Sequence, residues 1–546
     1  MERPPSLTGN LVDVHTQDIY PVRLELSGGS ITRIIRENGP FEHYILPGFV
    51  DAHVHIESSM LPPSEFARLA VRHGTVATVS DPHEIANVLG VEGIRFMLED
   101  ADTSPLTMCF GAPPCVPATT FETAGASLGV QEVRALLQDS RVGYLSEVMN
   151  VPGVLTGDEA LLEKLAAAKV LGKPLDGHAP GLRGESLARY VAAGISTDHE
   201  SFLYEEGKEK LEAGLKLAIR EGSAAKNFEA LWPLLPQYPD KLMFCTDDLH
   251  PDDLEAGHIN TLVKRGLAKG VDLMTLLRAA CVTPVEHYGL NVGLLREGDP
   301  ADFIVVDDLD NLAVLKTYLK GQRAAQSGAT YLSSSRIDTP NRFAAKPKKL
   351  EDFRVMAPPG APSKINVIVA SDGQLVTRRE VVVPRLSADE VVPDVENDVL
   401  KLAVVNRYED APPAVAFIRG FGLKRGAIAS SVAHDSHNVI AVGTSDEALS
   451  KAVNLVIEQR GGLSCVIEDN GECLALPIAG LMSDQDGFGV AARYKALSER
   501  TKVLGSTLHA PYMTLSFMAL LVIPELKLSD KGLFDGTRFA FAELFG

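Results

Sequence analysis

The sequence predicts an α/β protein: a (β/α)₈ TIM barrel inserted in a small β-sandwich domain, followed by a C-terminal α+β domain. Three observations predict it. From Leu46 onward, short apolar runs alternate with helical stretches roughly every 25–35 residues, the pattern of βα units around a parallel sheet. Eight such runs fit within about 200 residues, the size of a compact barrel. Segments with strand character flank them on both sides, and the 546 residues exceed what one barrel of about 250 residues needs.

Residues 1–47 form the first part of the small β domain. LVDVHTQDIY and PVRLELSGGSITRII alternate apolar and polar residues, with Gly28-Gly29 as the hairpin turn. The barrel spans residues 48–290. Its strands are read at ILPGFVDAHVH, GTVATVSD, LTMCFGA, RVGYLSEV, KPLDGH, GISTDHE, GLKLAIREGS and KLMFCTDD. VEGIRFMLEDA and GDEALLEKLAAAKVLG supply helices after the second and fourth, with apolar residues at helical spacing. Residues 291–333 return to β character and complete the small sheet. Residues 334–363, rich in Ser, Pro and Lys, read as a linker. Residues 364–546 mix strands such as INVIVAS and LKLAVVNR with the helix SDEALSKAVNLVIEQRG.

Apolar residues make up 45% and charged residues 23%, which excludes a disordered chain and a coiled coil. Lys and Arg number 52 against 72 Asp and Glu, so the formal charge is −20. An acidic chain without a basic tract lacks the footprint that nucleic acid requires. The six cysteines contain no CxxC pair and read as reduced, buried thiols of a cytoplasmic protein. No signal-peptide core opens the chain, and the longest apolar run, Met518 to Pro524, is far short of the roughly 20 residues of a membrane helix. A soluble homodimer is expected.

Chemistry in such barrels sits at the C-terminal strand ends. Five of the 14 histidines fall there. Strand 1 ends in His53-Val54-His55, strand 2 in Asp81-Pro82-His83-Glu84, strand 4 in Glu147, strand 5 in His178, strand 6 in His199, and strand 8 in Asp247-Asp248. A period of two puts His53 and His55 on one side of their strand, within reach of one metal. Taken singly, each of these residues is more often a polar strand end, a structural imidazole or a salt-bridged carboxylate than a ligand. Together they can converge on one point, and mixed imidazole and carboxylate ligands suit Fe, Mn or Zn. His83 and Glu84 are candidates for proton transfer, although DPHE also reads as a capped helix start. Glu57 and Arg220 are candidate substrate contacts, with loop stabilisation and a buried Arg-Glu pair as the alternatives. His434 and His437, in HDSHN, either line the barrel mouth, hold a further metal or form a polar loop.

The ordered set resembles the metal-dependent amidohydrolase superfamily, and within it the adenine deaminases. The segments carrying the resemblance are LPGFVDAHVHIESSM, VSDPHEIANV, SEVMN, LDGHAPG, TDHE, REGSAAKN and TDDLHPDDL. In the C-terminal part they are SSVAHDSHNVIAVG, LPIAGLMSD and MTLSFMALLVIPELKLSDKGLFD. The resemblance implies a binuclear divalent centre, Mn(II) or Fe(II) first and Zn(II) next. His53 and His55 would bind the more buried ion, His178 and His199 the other, and Glu147 would bridge them. Asp247 would bind the first ion and accept a proton from the shared water, with Asp248 its rival. The implied reaction is hydrolytic deamination of adenine to hypoxanthine and ammonia, by hydroxide attack at C6, in purine salvage. The alternatives are a deaminase of another 6-aminopurine such as N6-methyladenine, a cyclic amide hydrolase, and a degenerate homologue that only binds. No ligand position has been lost, which speaks against the last.

Overall fold

The structure is a computed structural model, and it describes residues 5–334, 338–360 and 364–546. The eight barrel strands are Phe49–Val54, Thr75–Ser80, Thr107–Ala112, Val142–Val148, Leu175–Gly177, Thr197–Asp198, Lys216–Arg220 and Leu242–Cys245. All their recorded pairings are parallel. The first, second and eighth strands are buried at every position, because helices cover the outer face and packed side chains fill the inside. The ring closes where the His55 amide donates to the Asp247 carbonyl (3.1 Å) and the Asp247 amide to the His53 carbonyl (2.9 Å). Closure therefore runs through residues of the predicted site. The fifth and sixth strands meet through the Ser196 amide on the Leu175 carbonyl, at 2.9 Å.

The segments flanking the barrel join in one eight-stranded sheet. Tyr44–Pro47 lies between Ser6–Asp13 and Phe303–Val306, so a strand from before the barrel pairs with one from after it. Gly28 and Gly29, at φ 61° and 89°, turn the hairpin between Asp18–Ser27 and Ser30–Arg36. The sheet encloses its own apolar core, with Leu11, Val22, Leu24, Ile31 and Phe303 at its centre.

A second eight-stranded sheet forms the C-terminal domain. Period-two alternation gives it two different faces. Ala403 and Val405 of Leu400–Val405 pack under the helix Asp446–Glu458, with Leu449, Val453 and Val456. Leu402 and Val404 point the other way, into the large core shared with Ile56, Met60 and Ile85 of the barrel. That apolar face seats the domain over the C-terminal ends of the barrel strands.

The segment read as a linker lies against this domain. Its residues 335–337 and 361–363 fall outside the described residues. In the remainder, the Ala344 amide donates to the Arg407 carbonyl (2.7 Å), and Phe353 is fully buried. Arg407 is itself buried and donates to the carbonyls of His437 (3.2 Å) and Ala479 (2.8 Å) and to Asn341 (2.9 Å). One guanidinium thus ties this segment to the HDSHN loop. No helix among the described residues is long and apolar enough to cross a membrane.

Candidate metal centre and substrate cavity

His53 and His55 project from the end of the first barrel strand, and their Nε2 atoms lie 3.3 Å apart. The Nδ1 of His55 is 3.0 Å from the Asp81 carbonyl. Donation there leaves Nε2 with its lone pair free, the state a ligand needs. Asp51 fixes the strand end from below by accepting the Thr246 amide (3.0 Å) and pairing with His258 (3.0 Å).

Glu147 sits at the centre. Its Oε2 is 2.8 Å from His178 Nδ1 and 3.3 Å from His199 Nε2, and its Oε1 is 3.5 Å from His55 Nε2. Asp247 closes the other side. Its Oδ1 is 3.0 Å from His55 Nε2 and 3.6 Å from His53 Nε2, and its Oδ2 is 3.5 Å from His199 Nε2. The chain is left-handed at Asp247, with φ 58°, a conformation non-glycine residues hold at a cost. The six residues expected as ligands therefore meet in one buried cluster, drawn from the ends of five strands.

The charges fit a cation. Burial alone would raise the Glu147 carboxyl, but His178 and His199 overcome it and hold the group well below the usual carboxylate range. Burial likewise opposes ionisation of Asp247, and Arg220, His199 and His53 reverse that. His178, despite burial, is pushed up to about 9 by Glu147. Two anionic carboxylates among four imidazoles, sealed from solvent, are a donor set suited to divalent metal.

His83 reaches the cluster. Its Nδ1 lies 3.3 Å from Glu147 Oε1 and its Nε2 3.6 Å from Asp435 Oδ1. Arg220 also reaches it, bonded to Asp247 and Glu200, with Asp248 at 3.0 Å. His434 lines the cavity and stacks on Phe517, ring centroids 5.0 Å apart.

Three expected residues stand behind the wall. Glu84 is held by Ser58 (2.9 Å) and lies 3.4 Å from His434. Burial, with Glu57 and Asp248 nearby, raises it well above the usual range. Glu57 accepts the Ile85 amide (3.2 Å), and burial pushes it up to about 7. The Nδ1 of His437 faces the Ala433 amide at 3.3 Å. None of the three lines the cavity.

Residues that sequence reading passed over complete the site. Glu200 and Asp435 line the cavity, and Leu375, Phe517, Leu520 and Val522 give it an apolar wall. Glu200 directly follows His199, and Asp435 lies inside HDSHN, so attention to the histidines hid both. The apolar wall carries no sequence signal of its own. Lys210 is buried beside the residues next to His178 and His199, paired with Asp198 and Glu206 at 2.8 and 2.9 Å, while Asp198 also accepts the Ala179 amide (2.8 Å).

Residues 44–324 match the amidohydrolase family, and residues 374–540 match the adenine deaminase C-terminal domain. An adenine deaminase of Sulfurovum sp. is 58% identical, covering 98% of this chain and 99% of the relative. That of Salinibacter ruber is 58% identical, covering 99% of each. That of Methanosarcina mazei is 51% identical, covering 98% and 99%. A solved D-hydantoinase from Thermus sp. is 15% identical, covering 60% of this chain and 96% of that one, with a TM-score of 0.46. With its amidohydrolase barrel and its C-terminal domain both matched, the chain belongs to the adenine deaminase family.

Proposed function

We propose that the protein hydrolyses adenine to hypoxanthine and ammonia, in purine salvage, as a cytoplasmic homodimer. The observation that carries the reading is the meeting of His53, His55, Glu147, His178, His199 and Asp247 at one buried point, in a chain whose relatives bear that activity in their names. His53, His55 and Asp247 would hold one divalent ion and His178 and His199 a second, with Glu147 between them. Mn(II) or Fe(II) is favoured and Zn(II) comes next. Two such ions, when bound, supply hydroxide near neutral pH.

The chain's own groups do the rest. Asp247, ionised and against the ligand imidazoles, accepts the proton of the attacking water. His83 faces the same point and is placed to move a proton toward N1 or the departing amine. Water adds at C6, the 6-amino group leaves as ammonia, and the ring keeps the oxygen. Glu84 acts at one remove, because the Ser58 hydroxyl contacts both it (2.9 Å) and Asp248 (2.7 Å). The wall of Leu375, Phe517, Leu520 and Val522 excludes water and packs a flat heterocycle, so the C-terminal domain completes the pocket.

The test is ammonia release from adenine by protein loaded separately with Mn(II), Fe(II) and Zn(II), with N6-methyladenine, guanine and adenosine alongside. Turnover of adenine in preference to the rest is expected. Turnover of N6-methyladenine in its place would move the substrate, and no ammonia from any purine with two ions bound would overturn the reading.

A further inference from the structure

Glu200 has no task in the chemistry above. It is 1% exposed and lines the cavity. Its Oε1 is held by Arg220, whose two terminal nitrogens also grip Asp247 and Asp248. Its Oε2 has no partner. A buried carboxylate oxygen left unpaired is costly, and the cost is removed when a ligand donates to it. Both terminal nitrogens of Arg220 are engaged by carboxylates, so it fixes Glu200 in place and leaves Oε2 as an unpaired acceptor in a residue that lines the cavity.

Glu200 Oε1 lies 3.9 Å from His199 Nε2, so the free oxygen stands beside the metal cluster. A substrate with its reacting C6 at the cluster brings the ring edge next to the amino group close to this oxygen. On that edge nucleosides and free base share the 6-amino N–H, and the donor that only the free base can add is an imidazole N–H at N7, in its 7H tautomer. A 9-substituted nucleoside has a lone pair at N7, which a carboxylate repels.

We propose that Glu200, set by Arg220, is a specificity-determining residue that accepts the N7–H of the bound base and selects free adenine over nucleosides. The inference rests on the adenine reading given above.

Two analogues of equal size separate the possibilities. 9-Deazaadenine has its N–H fixed at N7, whereas 7-deazaadenine has carbon there. Their inhibition constants against adenine deamination are measured for the wild-type metalloenzyme and for Glu200→Gln and Glu200→Asp, with metal content determined for each. In the wild type, 9-deazaadenine binds about 10- to 100-fold more tightly, as expected for a hydrogen bond to a charged acceptor. Glu200→Gln shrinks that ratio toward one and raises KM for adenine more than it lowers kcat. Glu200→Asp, shorter but still charged, keeps part of the preference. Equal binding of the two analogues by the wild type overturns the proposal without any variant. So does an unchanged ratio in Glu200→Gln, or a loss of metal that tracks its loss of activity, which would make Glu200 a ligand. If the wild type releases no ammonia from adenine, the adenine reading falls and takes this inference with it; adenine turnover with no analogue preference sinks the inference alone.

Discussion

Oε2 of Glu147 lies 2.8 Å from Nδ1 of His178, and this contact joins the fourth barrel strand to the fifth at the point where the imidazoles gather. The other oxygen of the same carboxylate faces His55 at 3.5 Å. One side chain therefore spans the two halves of the cluster.

Removal of that span sets the first expectation. Glu147→Ala is expected to lose bound metal and activity together, because both ions of the proposed centre would share this group. Metal content by mass spectrometry and ammonia release are the two readouts. Retention of two ions per chain at full rate would remove Glu147 from the centre.

The neighbours Asp247 and Asp248 separate next. Asp247 touches the imidazoles of His53 and His55, whereas Asp248 accepts from Ser58 at 2.7 Å and pairs with Arg220 at 3.0 Å. Asp247→Asn is expected to lower kcat by about 10²–10⁴-fold, the usual worth of a proton acceptor. Asp248→Asn has a smaller effect on kcat. The reverse order would exchange their roles.

Lys210 gives a stability test. It is fully buried and pairs with Asp198 and Glu206.

 
Lys210→Met leaves two buried carboxylates without their counter-charge and is expected to cost about 3–5 kcal/mol in unfolding free energy. Urea unfolding measures it. A change below about 1 kcal/mol would mean that Asp198 and Glu206 reach solvent or share a proton.

Acid lability follows from two histidines away from the cluster. Burial pushes His73 down to about 4, with His258 and Arg72 adding to the effect, and burial with Lys216 does the same to His287. Between pH 6.5 and 4 the unfolded chain binds protons that the native one does not. Their contribution to stability is complete above pH 6.5 and is lost as the pH falls toward 4. Each proton adds a slope of at most about 1.4 kcal/mol per pH unit. Unfolding of His287→Asn at pH 7 and pH 5 should show a smaller drop than wild type; an equal drop would place the titration elsewhere.

The sequence by itself determined the barrel, its eight strands and the imidazoles and carboxylates at their ends. The reason is local: strands buried on both faces leave continuous apolar runs, and the residue where each run stops is the one at the mouth. It also determined the split of the small sheet around the barrel, since period-two alternation is visible on both sides of it. Tertiary structure alone decided which polar residues face the cavity. His434 reaches it and His437, three positions on, does not; Glu200 reaches it and Glu57 does not. Loop geometry sets those directions, and no periodicity encodes it. The apolar wall is the clearest case. Leu375 and Val522 are far apart in the chain and unremarkable in it, and they meet over the cluster only because one face of the C-terminal sheet buries its side chains against the barrel.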